Sequence, residues 1–192
     1  MSKAHTASKS GTASNTGIVL AHYGRGALVQ TPTGNIHCGL VGRKLRVVCG
    51  DVVQWRTKAE ADVPSVEQVA ERRNLIERID SRGRAEAVVA NIDRLAIVVA
   101  AEPTPDWYLV DRYWAGALLK DIDALLIVSK VDLGTKNLQT DLAVYRRLGL
   151  AILEVASHPA MGIESLHHAL ADSVTLLAVS YTHLTLPTNR EV

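Results

Sequence analysis

The chain is poor in the residues that mark several common kinds of protein. It holds two cysteines, Cys38 and Cys49, in 192 residues. Two cannot staple a disulfide-rich scaffold and their spacing matches no zinc pattern, so free thiols in a reducing compartment are expected. No apolar stretch approaches the roughly 20 residues that a membrane-spanning helix needs, and no secretory hydrophobic segment opens the chain. The expected location is therefore the cytoplasm, with no membrane partner. Phe is absent altogether, and nothing in the sequence explains why. Glycine is missing where phosphate chemistry would need it: no Gly-x-x-x-x-Gly-Lys-Ser/Thr run occurs anywhere. That excludes an ordinary phosphate-binding loop. No catalytic triad or metal-ligand spacing stands out either.

What is present is ordinary for a globular protein: 47% hydrophobic and 21% charged residues, with a net charge of +1. The charge is unevenly spread. Residues 1–86 carry 13 Lys/Arg against 8 Asp/Glu, and residues 87–192 carry 8 against 12. A polyanion would meet the basic front half first.

Three patterns follow one another along the chain. Residues 1–16 are rich in Ser, Thr, Ala and Lys and have little to bury, so a disordered tail is expected. From residue 17 to about 80, short β-type runs alternate with turn residues: Ile18–Leu20, Ala27–Val29, Ile36–Cys38, Leu45–Val48 and Val52–Trp55. Five short strands in some 60 residues predict a small all-β barrel of OB-fold size. Beyond Ala85, near-continuous apolar runs at Leu95–Ala101, Ala124–Val128 and Ala151–Val155 alternate with helical patterns. Asp106 is placed to cap the first helix, the second spans about Leu138–Leu148, and the third follows Gly162. Strand–helix–strand repetition predicts a parallel α/β domain whose ligands bind at the C-terminal strand edges.

Two loops fall at that edge. Ser129-Lys130-Val131-Asp132 ends one apolar strand, and Val155-Ala156-Ser157-His158 ends the next. An Asp there can accept two hydrogen bonds from a guanine edge, and a Lys stem can lie along the base plane. A small residue in the second loop lets a backbone N–H approach a purine carbonyl. Either loop alone is also what a solvated strand–helix connection looks like.

Further segments strengthen the base-reading interpretation. Gly24-Arg25-Gly26, Gly50-Asp51-Val52-Val53, Glu71-Arg72-Arg73-Asn74-Leu75, Ala90-Asn91-Ile92-Asp93 and Asp111-Arg112-Tyr113 occur in that order. Over residues 17–178 the chain resembles the ribosome small-subunit-dependent GTPase A family, circularly permuted GTPases of small-subunit assembly. Glu71 replaces the family's Pro. The resemblance implies an OB-fold barrel (residues 17–80) followed by the front part of a circularly permuted P-loop GTPase domain (residues 85–178). In such proteins the base-reading loops precede the phosphate loop, the switches and a small zinc domain.

The resemblance also implies a monomeric GTPase that binds GTP or GDP with Mg²⁺, carries Zn²⁺ in its last domain and works on the small ribosomal subunit and its rRNA. Ser129, Lys130 and Asp132 take the place of Asn-Lys-x-Asp, and Ala156 and Ser157 that of Ser-Ala. Asp132 is expected to bind the guanine N1 and N2 donors, with Lys130 packed beside the base. Ala156 is expected to offer its N–H to O6. Ser129 is shorter than the family's Asn and has one hydroxyl, so weakened guanine affinity is expected. Tyr23, Arg25, Arg43, Lys44 and Arg46, with Arg56 and Lys58, form the candidate RNA face; Trp55 is assigned to the barrel core. Asp80-Ser81-Arg82-Gly83 mimics a switch motif but is read as a turn.

At Ala178, where the family continues into its phosphate loop, the sequence changes character. Residues 179–192 resemble a translated transposon-end sequencing adapter, so the chain is expected to be a catalytically inactive fragment. The alternative is a non-enzymatic OB-fold RNA-binding protein with a degenerate nucleotide domain.

Overall fold

The computed structural model describes residues 15–42, 45–57 and 63–179. The chain divides into two units, residues 1–90 and 91–192.

In the first unit, β1 (Asn15–Tyr23), β2 (Gly26–Thr31), β3 (Gly34–Leu40), β4 (Val52–Arg56) and β5 (Ser65–Val69) close a barrel in the order β1-β2-β3-β5-β4. Closure leaves no free sheet edge, which small β domains must otherwise protect. Alternation sends Val19, Ala27, Val29, Cys38, Val53 and Val66 inward as the core, and Trp55 packs against it, as assigned.

One expected strand does not form. Leu45–Val48 is irregular although Val47 is buried. Its backbone is claimed by Asp51: the Val48 amide donates to Oδ2 at 2.8 Å and the Asp51 amide donates to the Val48 carbonyl at 3.2 Å. With that segment turned, the fifth strand is β5, whose Glu and Gln hide its pattern.

The barrel is followed by a hairpin of β6 (Leu75–Ile79) and β7 (Ala85–Ala90). Asp80-Ser81-Arg82-Gly83 forms its turn. Asp80 Oδ1 accepts from the Arg82 and Arg84 amides, and Gly83 takes φ +74°. The Arg84 backbone and side chain, with further help from Arg82 and Arg78, hold the Asp80 carboxyl below its ordinary pKa. The base of the hairpin is tied to the barrel, where the Ala90 amide donates to the Cys49 carbonyl. Gly50, at φ +84°, is needed there because a Cβ would collide with the Ala90 carbonyl. Both cysteines are free thiols, and burial pushes the Cys38 thiol pKa up.

The second unit is a parallel sheet in the order β10-β9-β8-β11, formed by β8 (Arg94–Ala100), β9 (Asp123–Ser129), β10 (Ala151–Glu154) and β11 (Thr175–Val179). Val179 is thus the last residue of β11; residues 180–192 and the N-terminal residues 1–14 lie outside the described residues. Helix α1 (Trp107–Leu118) packs on β8 and β9, α2 (Gln139–Arg147) packs beside β10, and α3 (Ile163–Leu170) covers Ala96, Leu125, Ile127 and Val155. Asp106 caps α1 as expected, its carboxylate accepting from the Leu109 amide at 3.2 Å. Covering both faces explains the continuous apolar runs of β8 and β9. Between the helices, the buried Tyr145 hydroxyl donates to Asp111 at 2.7 Å while its ring meets Trp107 and Trp114.

Candidate functional site

Parallel pairing puts the C-terminal ends of all four strands along one edge, with Ala100 opposite Ser129 and Val128 opposite Glu154. The loops after β8, β9 and β10 therefore emerge side by side, the usual ligand position in such sheets. A cleft of about 710 Å³ opens at the opposite edge between the starts of β8, β9 and β10. It lies away from these loops.

The loop after β9 is held by contacts to its neighbours. Ser129 Oγ donates to the Val99 carbonyl at 2.9 Å. Lys130 has left-handed backbone angles, φ 58° and ψ 37°, which cost a side-chain-bearing residue free energy and persist only where surrounding contacts enforce them. Its ammonium donates to the Glu102 carbonyl at 3.3 Å. Val131–Leu133 then make one 3-10 turn that ends at Gly134. Asn137 donates from Nδ2 to the Ala101 carbonyl at 3.4 Å. No local sequence signal marks Asn137, because its partner lies 36 residues earlier.

The loop after β10 is joined to this one. The Val131 amide donates to the Val155 carbonyl at 3.3 Å, and the Val155 amide to the Val128 carbonyl at 2.8 Å. Ala156 and Met161 then exchange two backbone hydrogen bonds, of 3.0 and 3.1 Å, which close a short loop over Ser157–Ala160. Gly162 (φ +70°) permits this turn, since a Cβ there would strike the Glu154 carbonyl. His158 Nδ1 lies 3.0 Å from the Ser157 carbonyl.

This geometry bears on the expectation for Ala156. The Ala156 N–H already donates to Met161, so it is not free to reach a ligand. Among the described residues, the amide of the exposed Ser157 has no backbone acceptor. Asp132 is exposed in the 3-10 turn, and its carboxylate has no hydrogen-bond or ion-pair partner among the described residues. A carboxylate facing solvent on one loop and an amide donor on the adjoining loop are the groups that could read a flat ligand offering two donors and one acceptor.

On the barrel, Tyr23 and Arg25 flank the β1–β2 turn, with Tyr23 exposed. Arg25 lines a depression with Gly24, Leu40, Gly42 and Leu45; Leu45 also borders a second one that contains Arg46. Arg25 and Arg46 thus line two depressions that meet at Leu45. Arg43, Lys44 and Lys58 lie outside the described residues.

More than half of the chain, residues 69–180, matches the family described as RsgA GTPase. The chain belongs to that family. It is 35% identical to the small ribosomal subunit biogenesis GTPase RsgA of Pseudomonas syringae pv. syringae (strain B728a), over 84% of this chain and 49% of that protein. It is 32% identical to the protein of the same name from Klebsiella pneumoniae (strain 342), with the same two coverages. The chain thus spans about half the length of these RsgA relatives. Among solved structures it is similar to YjeQ from Thermotoga maritima, with TM-score 0.69 and 25% identity over 85% of this chain and 59% of that one. YloQ, described as a circularly permuted GTPase, aligns with TM-score 0.66 and 19% identity, over 92% of this chain and 63% of that one. The RsgA-type barrel and parallel sheet are therefore those expected from the sequence.

Proposed function

We propose that residues 129–132 and 156–157 form the base-reading half of a guanine-nucleotide site, in a protein that hydrolyses GTP during maturation of the small ribosomal subunit. The open Asp132 carboxylate, on a loop pinned to both neighbouring loops, carries this reading. Asp132 accepts from guanine N1–H and N2–H, the Lys130 stem lies along the ring, and the Ser157 amide donates to O6. Adenine offers neither the paired donors nor the O6 acceptor and would leave these groups unpaired. Family membership supports GTP as the nucleotide, and the names of the relatives support the small ribosomal subunit as the partner.

The residues described do not form a metal site: no three His, Cys, Asp or Glu side chains gather to hold an ion among them. Mg²⁺ and Zn²⁺ therefore belong to the proposal for the full-length family protein only, and no step is derived through them. The barrel flank with Tyr23, Arg25 and Arg46 is proposed to contact rRNA, the arginines neutralising phosphates and the tyrosine stacking on an unpaired base.

Amide-resolved NMR titration of the chain with GMP, IMP and AMP tests the base site. GMP is expected to shift the amides of residues 130–134 and 157 at lower concentration than IMP, with AMP weakest. Equal affinity for GMP and AMP overturns the reading.

A further inference from the structure

We propose that Asn137 is a positioning residue for base recognition, supplying from a neighbouring turn the amide brace that Ser129 is too short to make. The inference rests on the guanine-site reading above and extends it to a residue outside both base-reading loops.

Three donors from one short stretch reach three carbonyls of the end of β8 and the segment that leaves it. Ser129 takes Val99, Asn137 takes Ala101, and Lys130 takes Glu102. The stretch they brace contains the left-handed Lys130, a conformation that needs external contacts to persist. It also contains Asp132, whose carboxylate must sit within a few tenths of an ångström of its place to accept two hydrogen bonds at once. Ser129 spends its hydroxyl proton on Val99, and a hydroxyl offers a single donor. The second and third ties therefore fall to side chains beyond it. Lys130 is the less suitable brace, because the same side chain is required along the base; four rotatable bonds and a 3.3 Å contact leave it free to move there. Asn137 has no such second duty. It is the middle residue of the 3-10 turn Lys136–Leu138, whose Leu138 is fully buried and anchors that turn to the core. The brace thus joins an anchored turn to the β8 exit, with residues 129–134 enclosed between them. On this account the shortening at position 129 is offset, and the weakening expected from Ser129 alone does not follow.

The test uses the 192-residue chain with GMP as probe, together with hydrogen exchange of the Val131, Leu133 and Gly134 amides without ligand. Asn137→Asp keeps the shape and removes the donor; Asn137→Ala removes both. Each is expected to weaken GMP binding about 2- to 10-fold, the worth of one hydrogen bond. Each should also speed exchange at those three amides while the melting temperature stays near wild type. Ser129→Asn should recover most of the loss in the Asn137→Ala background. Unchanged GMP affinity and exchange in both variants overturns the brace, and so does failure of Ser129→Asn to restore Asn137→Ala. Should wild type show no preference for GMP over AMP, the guanine reading itself fails. The exchange measurement then decides the brace alone, faster exchange supporting it and unchanged exchange refuting it.

Discussion

Arg72 and the fully buried Asp51 form a two-point ion pair: Nε donates to Oδ1 at 2.7 Å and Nη2 to Oδ2 at 2.9 Å. The same guanidinium donates to the Arg46 carbonyl, and Asp51 Oδ2 accepts the Val48 amide. The pair therefore fastens the segment before the β6–β7 hairpin onto the turn that replaces the expected strand at Leu45–Val48.

Arg72→Met leaves the Asp51 carboxylate buried with its amide partner alone. A loss of about 3–5 kcal/mol is expected for a buried charge stripped of its partner. The double change Asp51→Val with Arg72→Met should recover a substantial part of it, since no charge is then left unpaired. Urea unfolding of the three variants measures both, and a cost below 1 kcal/mol for the single change would contradict the assignment.

Asp132→Asn exchanges one of the two acceptors for an amide donor. Guanine, with two donors on that edge, should lose about tenfold or more in affinity. Xanthine, which has a carbonyl at C2, should gain relative to it. Parallel titrations with GMP and XMP check the inversion; an unchanged GMP-to-XMP ratio argues that Asp132 does not face the base.

Burial, then the hydrogen bond to Asp111, raises the pKa of the Tyr145 phenol above its ordinary value. A raised folded value means that the neutral phenol's contribution is fully present below the unfolded pKa of about 10. It is lost as pH climbs through the folded value. Stability should therefore fall above roughly pH 10, and the Tyr145 absorbance step near 295 nm should arrive late, with unfolding. In Tyr145→Phe that part of the alkaline decline disappears, for a cost at neutral pH of about 0.5–1.5 kcal/mol from the lost hydrogen bond. Identical alkaline profiles for the two proteins would refute this.

Arg25→Ala should weaken RNA binding uniformly across sequences and lower the slope of log affinity against log salt by about one. Filter binding of single-stranded RNA at several salt concentrations reads both. A slope that does not change places Arg25 outside the contact.

Local chemistry made much of this architecture legible. Continuous apolar runs marked β8 and β9 because strands covered on both faces have no polar side. Asp106 marked the start of α1 because a carboxylate caps free amides. Ser129–Asp132 stood out because a polar loop interrupts an apolar strand where parallel sheets bind ligands. Leu45–Val48 was misleading for an equally physical reason: its apolar pattern suits a strand, but the buried Asp51 takes its amide.

The sequence by itself determined the barrel and the parallel sheet, and it marked the strand edge and the first loop on which the proposed site rests, because each depends on periodicity or on neighbours a few positions apart. The tertiary structure alone tied the Ala156 amide to the Met161 carbonyl. It alone closed the barrel with β5, sealed Arg72 onto Asp51 across 21 residues, and brought Asn137 to Ala101 across 36. Hydrogen bonds of such reach are fixed by how strands stack in space, and spacing along the chain leaves no trace of them.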